Sequence, residues 1–300
     1  NIIYKMDLTS YCSIDNVEGI CLPVDIIKKI ERNEKIGDGE KIEDKLESIK
    51  TDLGCMDEVC VLKRTTKLNE TEKNELLFKF FKPIASVDPV KWLSNSHLDQ
   101  LQEQLHNIHP NYYYSFIHMI DMVMISHEHT DILGHEILEL SKIDFVNEMS
   151  EQSDQRIIST NESPLQTYGV IFNTDPSHKS GQHWFSLFFD FRTKGTLEDP
   201  YTLEYFNSAG TDLKKNVYDY LIKLSNTISF ATKKVCNYVQ VTNIQHQSSK
   251  TGNCGAYSLY YIHQRINGVK KEEFNDPNYP LNDDTITEFR KIIFIDEKRV

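Results

Sequence analysis

The stretch Thr251-Gly-Asn-Cys-Gly-Ala-Tyr-Ser-Leu-Tyr-Tyr-Ile-His263 passes from a polar, glycine-containing loop straight into a helical pattern that closes at Asn267-Gly268. That change puts the Cys254 sulfur at a helix N-terminus. Unpaired N–H groups and the helix dipole stabilise a thiolate there, so a thiol pKa below its ordinary value is expected. A nucleophile needs this, although a Cys at such a junction also serves as a small buried hydrophobe.

Upstream, Tyr168 to Phe172, His183 to Phe191, Thr202 to Phe206 and Val235 to Val241 are short runs of aromatic and β-branched residues, the pattern of strands. A helix from Thr211 to Leu224 interrupts them, with Leu213, Val217, Leu221 and Leu224 on one stripe, and another covers Thr285 to Ile293. Further back, Ser94 or Ser96 can cap a helix carrying Leu98, Leu101, Leu105 and Ile108 until Pro110 stops it. Residues 121–163 read as helix and loop. The first 85 residues are charge-rich and helical: Asp25 to Ile30, Lys41 to Leu53 closed by Gly54, and Asn69 to Phe81. Pro83 and Pro89 then punctuate the chain. The expected organisation is a helical N-terminal domain over 1–85 and an α+β core with a mixed sheet and flanking helices over 86–300.

Composition narrows the function. The chain has 300 residues, enough to bury a core without disulfide staples, and 39% are hydrophobic, with 15 Tyr and 15 Phe. Net charge is −12 and no basic patch stands out, which argues against nucleic acid as a partner. No stretch approaches the ~20 apolar residues of a membrane span. Asn1-Ile-Ile-Tyr-Lys-Met does not read as a secretory signal, so Cys12, Cys21, Cys55, Cys60, Cys236 and Cys254 are expected as free thiols in a reducing compartment. Nothing in the sequence sets an oligomeric state.

A thiol nucleophile needs a base and an orienting group. His183 stands where the loop Pro176-Ser-His-Lys-Ser-Gly181 enters a strand; its parity with Phe185, Leu187 and Phe189 also fits a structural His. Asn207, at the end of the next strand, can accept from His Nδ1 and hold the ring, or simply form the turn before Ser208-Ala-Gly210. Gln247, seven positions before Cys254, offers a side-chain amide for an oxyanion hole, or is an exposed loop residue. The order His183, Asn207, Cys254, with helix after the Cys, is the reverse of the papain arrangement, and chymotrypsin-like cysteine proteases follow their nucleophile with strand.

These segments, Phe172-Asn-Thr-Asp175, Gly181-Gln-His-Trp184, Glu204-Tyr-Phe-Asn-Ser-Ala-Gly210, Val241-Thr-Asn-Ile-Gln-His-Gln-Ser248 and Cys254 to Ile262, closely resemble the polyprotein-processing proteases of the African swine fever virus type, in the SUMO-protease-like clan of cysteine peptidases. The resemblance is strong over 165–265 and weaker at Trp92-Leu-Ser-Asn95 and Leu53 to Val61. It implies a SUMO-protease-like core and a cysteine endopeptidase with His183 as base, Cys254 as nucleophile, Asn207 as orienter and Gln247 as oxyanion donor. Many clan members have Asp at the third position, and the Gln247–Cys254 interval is one residue longer than usual. Asn173 is a second candidate for the site. The resemblance also implies cleavage after Gly-Gly in viral structural polyproteins during virion maturation, in the host cytoplasm, its viral factories and the virion core. Trp184 and Trp92 match two indoles that close over the substrate Gly-Gly; flat rings against an extended backbone exclude Cβ atoms. A core role is the alternative for each.

Other chemistries fit less well. His127-Glu-His129 with His135 lacks the His-Glu-x-x-His spacing, since Asp131 stands where the second His belongs, and Cys55/Cys60 has no second pair nearby. No metal and no cofactor are therefore expected. The alternatives are a host-directed deSUMOylase or deubiquitinase, and a non-catalytic module that grips Gly-Gly tails. The N-terminal domain contains no histidine, so it is expected to aid substrate engagement and supply no catalytic group.

Overall fold

The computed structural model describes residues 11–14, 16, 19–31, 41–121 and 165–299. Contacts divide the chain into Asn1–Ser86 with Lys291–Val300, and Val87–Arg290.

In the first unit the helices are α1 (Val24–Ile30), α2 (Ile42–Leu53), α3 (Glu58–Arg64) and α4 (Glu70–Phe80). Asn69 and Glu72 form a capping box, with Asn69 Oδ1 accepting from Glu72 N at 2.9 Å and Asn69 N donating to Glu72 Oε2 at 2.8 Å. Such a cap stabilises a helix by about 1 kcal/mol. Gly54 closes α2 at φ 64, a left-handed value at which a side chain is strained. The sequence reading passed over α3, Glu58–Arg64. Its Glu58 is buried and accepts from the backbone N–H groups of Cys21 and Leu22.

Two expectations are corrected here. Cys12–Cys21 and Cys55–Cys60 are disulfides, because turns bring their Cα atoms to 4.8 and 5.5 Å, within bridging range. The Cys55/Cys60 pair is therefore not a ligand pair, and among the described residues only Cys236 and Cys254 are free. Residues 291–300 were placed with the core, yet β8 (Ile295–Asp296) pairs in parallel with β1 (Ile84–Ala85) and groups with the N-terminal unit. A two-residue strand has no alternation to read.

The second unit opens with α5 (Asn95–Ile108). Ser94 Oγ caps it by accepting from His97 N, and Leu98, Leu101 and Leu105 are fully buried. Truncating any one of these to Ala would cost roughly 2–5 kcal/mol. The strands are β2 (Tyr112–Tyr114), β3 (His118–Met119), β4 (Thr167–Asn173), β5 (Trp184–Asp190), β6 (Tyr201–Phe206) and β7 (Cys236–Gln240). β2 and β3 run parallel to β4, β4–β5 and β5–β6 are antiparallel, and β6–β7 is parallel, so the sheet is mixed. The helix α6 (Lys215–Thr232) begins four residues later and ends eight residues later than its apolar stripe suggested. The helices α7 (Cys254–Ile266) and α8 (Asp283–Ile293) follow. The region 122–163, with His127, His129 and His135, lies outside the described residues.

Both faces of the sheet are covered. Phe185, Leu187 and Phe189 of β5 and Leu203 and Tyr205 of β6 pack with Val217, Leu221, Leu224 and Ile228 of α6. Residues of the opposite parity meet α7: Phe206 stacks on Tyr261 with centroids 4.5 Å apart. Buried Glu204 accepts from Arg265 Nε at 2.8 Å, and Arg265 Nη2 reaches Asp190 Oδ2 at 2.7 Å. This ion cluster fixes the far end of α7 against β5 and β6, while its N-terminus carries Cys254.

Candidate active site

β5 starts immediately after His183, and the strand's ladder continues through it, since His183 O accepts from Thr174 N at 2.9 Å. The loop before it is pinned by Asn173, whose Oδ1 accepts from Asp175 N and Gln182 N. Asn173, a second site candidate by sequence, thus shapes the approach to His183 through the backbone.

At the end of β6, Asn207 Oδ1 lies 2.7 Å from His183 Nε2. The same oxygen accepts from Ala209 N at 3.0 Å, which fixes the amide orientation because a backbone N–H only donates. Asn207 Nδ2 donates to Tyr205 Oη and Thr211 Oγ1, both at 2.8 Å. Nε2 of His183 must therefore carry the proton, leaving Nδ1 as the acceptor of the neutral ring. The sequence reading expected the bond at Nδ1; the structure makes it at the other nitrogen. Burial pushes His183 below its ordinary value of 6.5, against the opposing pull of Asn207.

Cys254 is buried at the first position of α7. The backbone N–H groups of Trp184, Gly255 and Cys254 itself act electrostatically on the thiol, Trp184 being the residue that follows His183. These donors and the Arg290 cation favour the thiolate, but burial outweighs them and the thiol pKa is raised. The expected depression is thus overturned by desolvation.

Gln247 is buried, not a loose loop residue. Its Oε1 accepts from Ser208 Oγ at 2.8 Å and its Nε2 donates to Thr251 O at 2.9 Å, so one of its two amide hydrogens holds the loop that leads to Cys254. Trp184 is buried, and its indole N–H has no hydrogen-bond partner among the described residues. Trp92 is 52% exposed and lies over Gly252, where an added Cβ would fall 2.6 Å from the indole Cδ1 and 2.7 Å from Val90 O. Only glycine fits at that crossing.

Sequence reasoning missed Arg290 and Asp283. The available signal was a charge on an apolar helix face: Ile286, Phe289 and Ile293 mark the buried side of α8, and Arg290 falls among them, itself fully buried.

The fold is α+β, a mixed sheet with flanking helices together with a helical N-terminal unit. In particular, it matches the crystal structure of the African swine fever virus pS273R protease over 98% of this chain and 99% of that chain, with TM-score 0.65 and 23% identity. A second crystal structure of that protease covers 97% of each chain at TM-score 0.64. In sequence the chain is similar to the protein named SUMO-1 cysteine protease of African swine fever virus, 34% identical over 138 residues, 44% of this chain and 45% of that protein. A relative from another strain, named cysteine protease, matches over the same extent. The match spans about half the length of these curated relatives. No protein-family model matches the chain.

Proposed function

We propose that the protein is a cysteine endopeptidase that cleaves after Gly-Gly in viral structural polyproteins during virion maturation, acting in the host cytoplasm and the virion core. The observation that carries the reading is the Asn207–His183 bond through Nε2, which leaves Nδ1 free to accept a proton, while the backbone of the next residue, Trp184, acts on the Cys254 thiol. His183 Nδ1 takes the Sγ–H proton as the sulfur attacks the scissile carbonyl carbon, giving a tetrahedral oxyanion. The imidazolium then protonates the leaving amine and the C–N bond breaks. Water, deprotonated by the same nitrogen, hydrolyses the thioester and releases Cys254. Gln247 is assigned to the oxyanion through its second Nε2 hydrogen, and Trp92 and Trp184 to the walls around the Gly-Gly backbone. The helical N-terminal unit is assigned to presentation of large substrates.

The relatives' names support a viral cysteine protease, and one name, SUMO-1 cysteine protease, favours a second reading as a deSUMOylase. One experiment separates them. The protein and its Cys254→Ala variant are incubated with a Gly-Gly-Xaa peptide library, a Gly-Gly-containing viral polyprotein, and SUMO and ubiquitin precursors. Cleavage of peptides and polyprotein by the unaltered protein alone is expected. Processing of SUMO precursor without polyprotein cleavage would move the assignment to the second reading.

A further inference from the structure

The residue before Cys254 is Asn253, a residue type that ordinarily caps a helix by accepting from its first-turn N–H groups. Here its side chain makes no capping bond to α7. Its Oδ1 accepts instead from Arg290 Nη1 at 3.0 Å, which fixes the amide, and its Nδ2 faces Thr287 Oγ1 at 3.4 Å. Asn253 and Arg290 are both fully buried. Asp283, Thr287 and Arg290 lie at i, i+4 and i+7, hence on one face of α8. Asp283 completes the contact: its Oδ2 accepts from Ser248 N at 2.9 Å, and its Oδ1 from Thr251 Oγ1 at 3.1 Å and Tyr257 Oη at 3.3 Å. This single stripe grips the loop from Ser248 to Asn253 that joins Gln247 to Cys254.

We propose that Arg290, supported by Thr287 and Asp283, is a positioning residue that anchors Asn253 and the loop at 248–253 and so fixes the place of the Cys254 thiol at the start of α7. Burying a guanidinium is costly unless it is paired and hydrogen-bonded, and this one donates to the residue adjoining the thiol. Arg290 is also the charged side chain that acts electrostatically on Cys254, while Asp88, from the segment before α5, acts on Arg290. The inference rests on the proteolytic reading for its purpose, but its test does not.

The test is the pH dependence of Cys254 alkylation by iodoacetamide in the full-length protein, with adducts mapped by mass spectrometry. Arg290→Met should slow Cys254 labelling about tenfold at neutral pH and move the titration limb upward by about one pH unit, which is the same factor. Arg290→Lys, which keeps the charge, should recover part of the rate, and kcat on a Gly-Gly peptide should fall with KM little changed. A folded Arg290→Met protein with an unaltered alkylation profile overturns the proposal. Should that variant not fold, Asn253→Ala cuts the same link from the other end. Slower labelling of Cys254 supports the proposal, and unchanged labelling overturns it. Loss of labelling contrast with peptide cleavage intact counts against the stripe; an intact contrast without cleavage of any substrate counts against the proteolytic reading alone.

Discussion

Asn207 Oδ1 accepts from both His183 Nε2, at 2.7 Å, and Ala209 N, at 3.0 Å, so a backbone donor dictates the tautomer of the imidazole. The amide orients the ring without supplying charge. Replacement of His183 by Ala should abolish turnover, whereas Asn207→Ala should leave weak activity, down about 10²-fold in kcat, the lower end of what acid–base positioning contributes. Equal and negligible effects would show that the pair takes no part.

The acid limb of kcat/KM should lie below pH 6.5, because burial lowers the His183 pKa and the base must be neutral to accept the thiol proton. Asn207→Asp places a carboxylate at the same nitrogen and should move this limb upward. Linkage has a definite sign here. Between the folded and unfolded pKa values the unfolded chain binds more protons, so stability declines as pH falls from about 6.5 through the folded value. A pH–rate profile of both proteins, with denaturation at matched pH, reads both effects.

Thiol counting should find two modifiable cysteines without reductant and six after reduction and unfolding. Of the two, Cys254 should react first, since the Cys236 thiol is pushed up to about 12 by burial alone, with no donors to oppose it. Peptide mapping after brief alkylation shows which site carries the label; preferential labelling of Cys236 would contradict the electrostatics described.

Arg265→Met should destabilise the protein by roughly 3–5 kcal/mol in chemical denaturation, the cost of leaving buried carboxylates without their partner. Glu204 is fully buried and Asp190 nearly so. The double change Arg265→Met with Glu204→Gln should recover part of the loss, because it removes one of the orphaned charges as well.

The strands β4 to β7, helices α2, α4, α5 and α7 and the capping residue Asn69 follow from local pattern, because alternation, 3.6-residue spacing and side-chain caps are properties of neighbouring residues, whereas the choice of Ser94 over Ser96 is made by the structure. So does the order His183, Asn207, Cys254, which already singles out the residues that the sheet and α7 bring to one end of the fold. What local pattern does not contain is any interaction set by distant chain segments. The parallel β1–β8 pair and the Asp190–Glu204–Arg265 cluster each join residues that become neighbours only on folding, and the two disulfides, though only nine and five residues apart, depend on turns that the sequence pattern does not display. The direction of the Cys254 shift belongs to the same class. A helix N-terminus is legible in Asn253-Cys-Gly, but the burial that outweighs it is imposed by the surrounding elements, and desolvation of a charge grows with how completely water is excluded. Arg290 sits thirty-six positions from Cys254, and only the packing of α8 beside the loop at 248–253 makes the two act on each other.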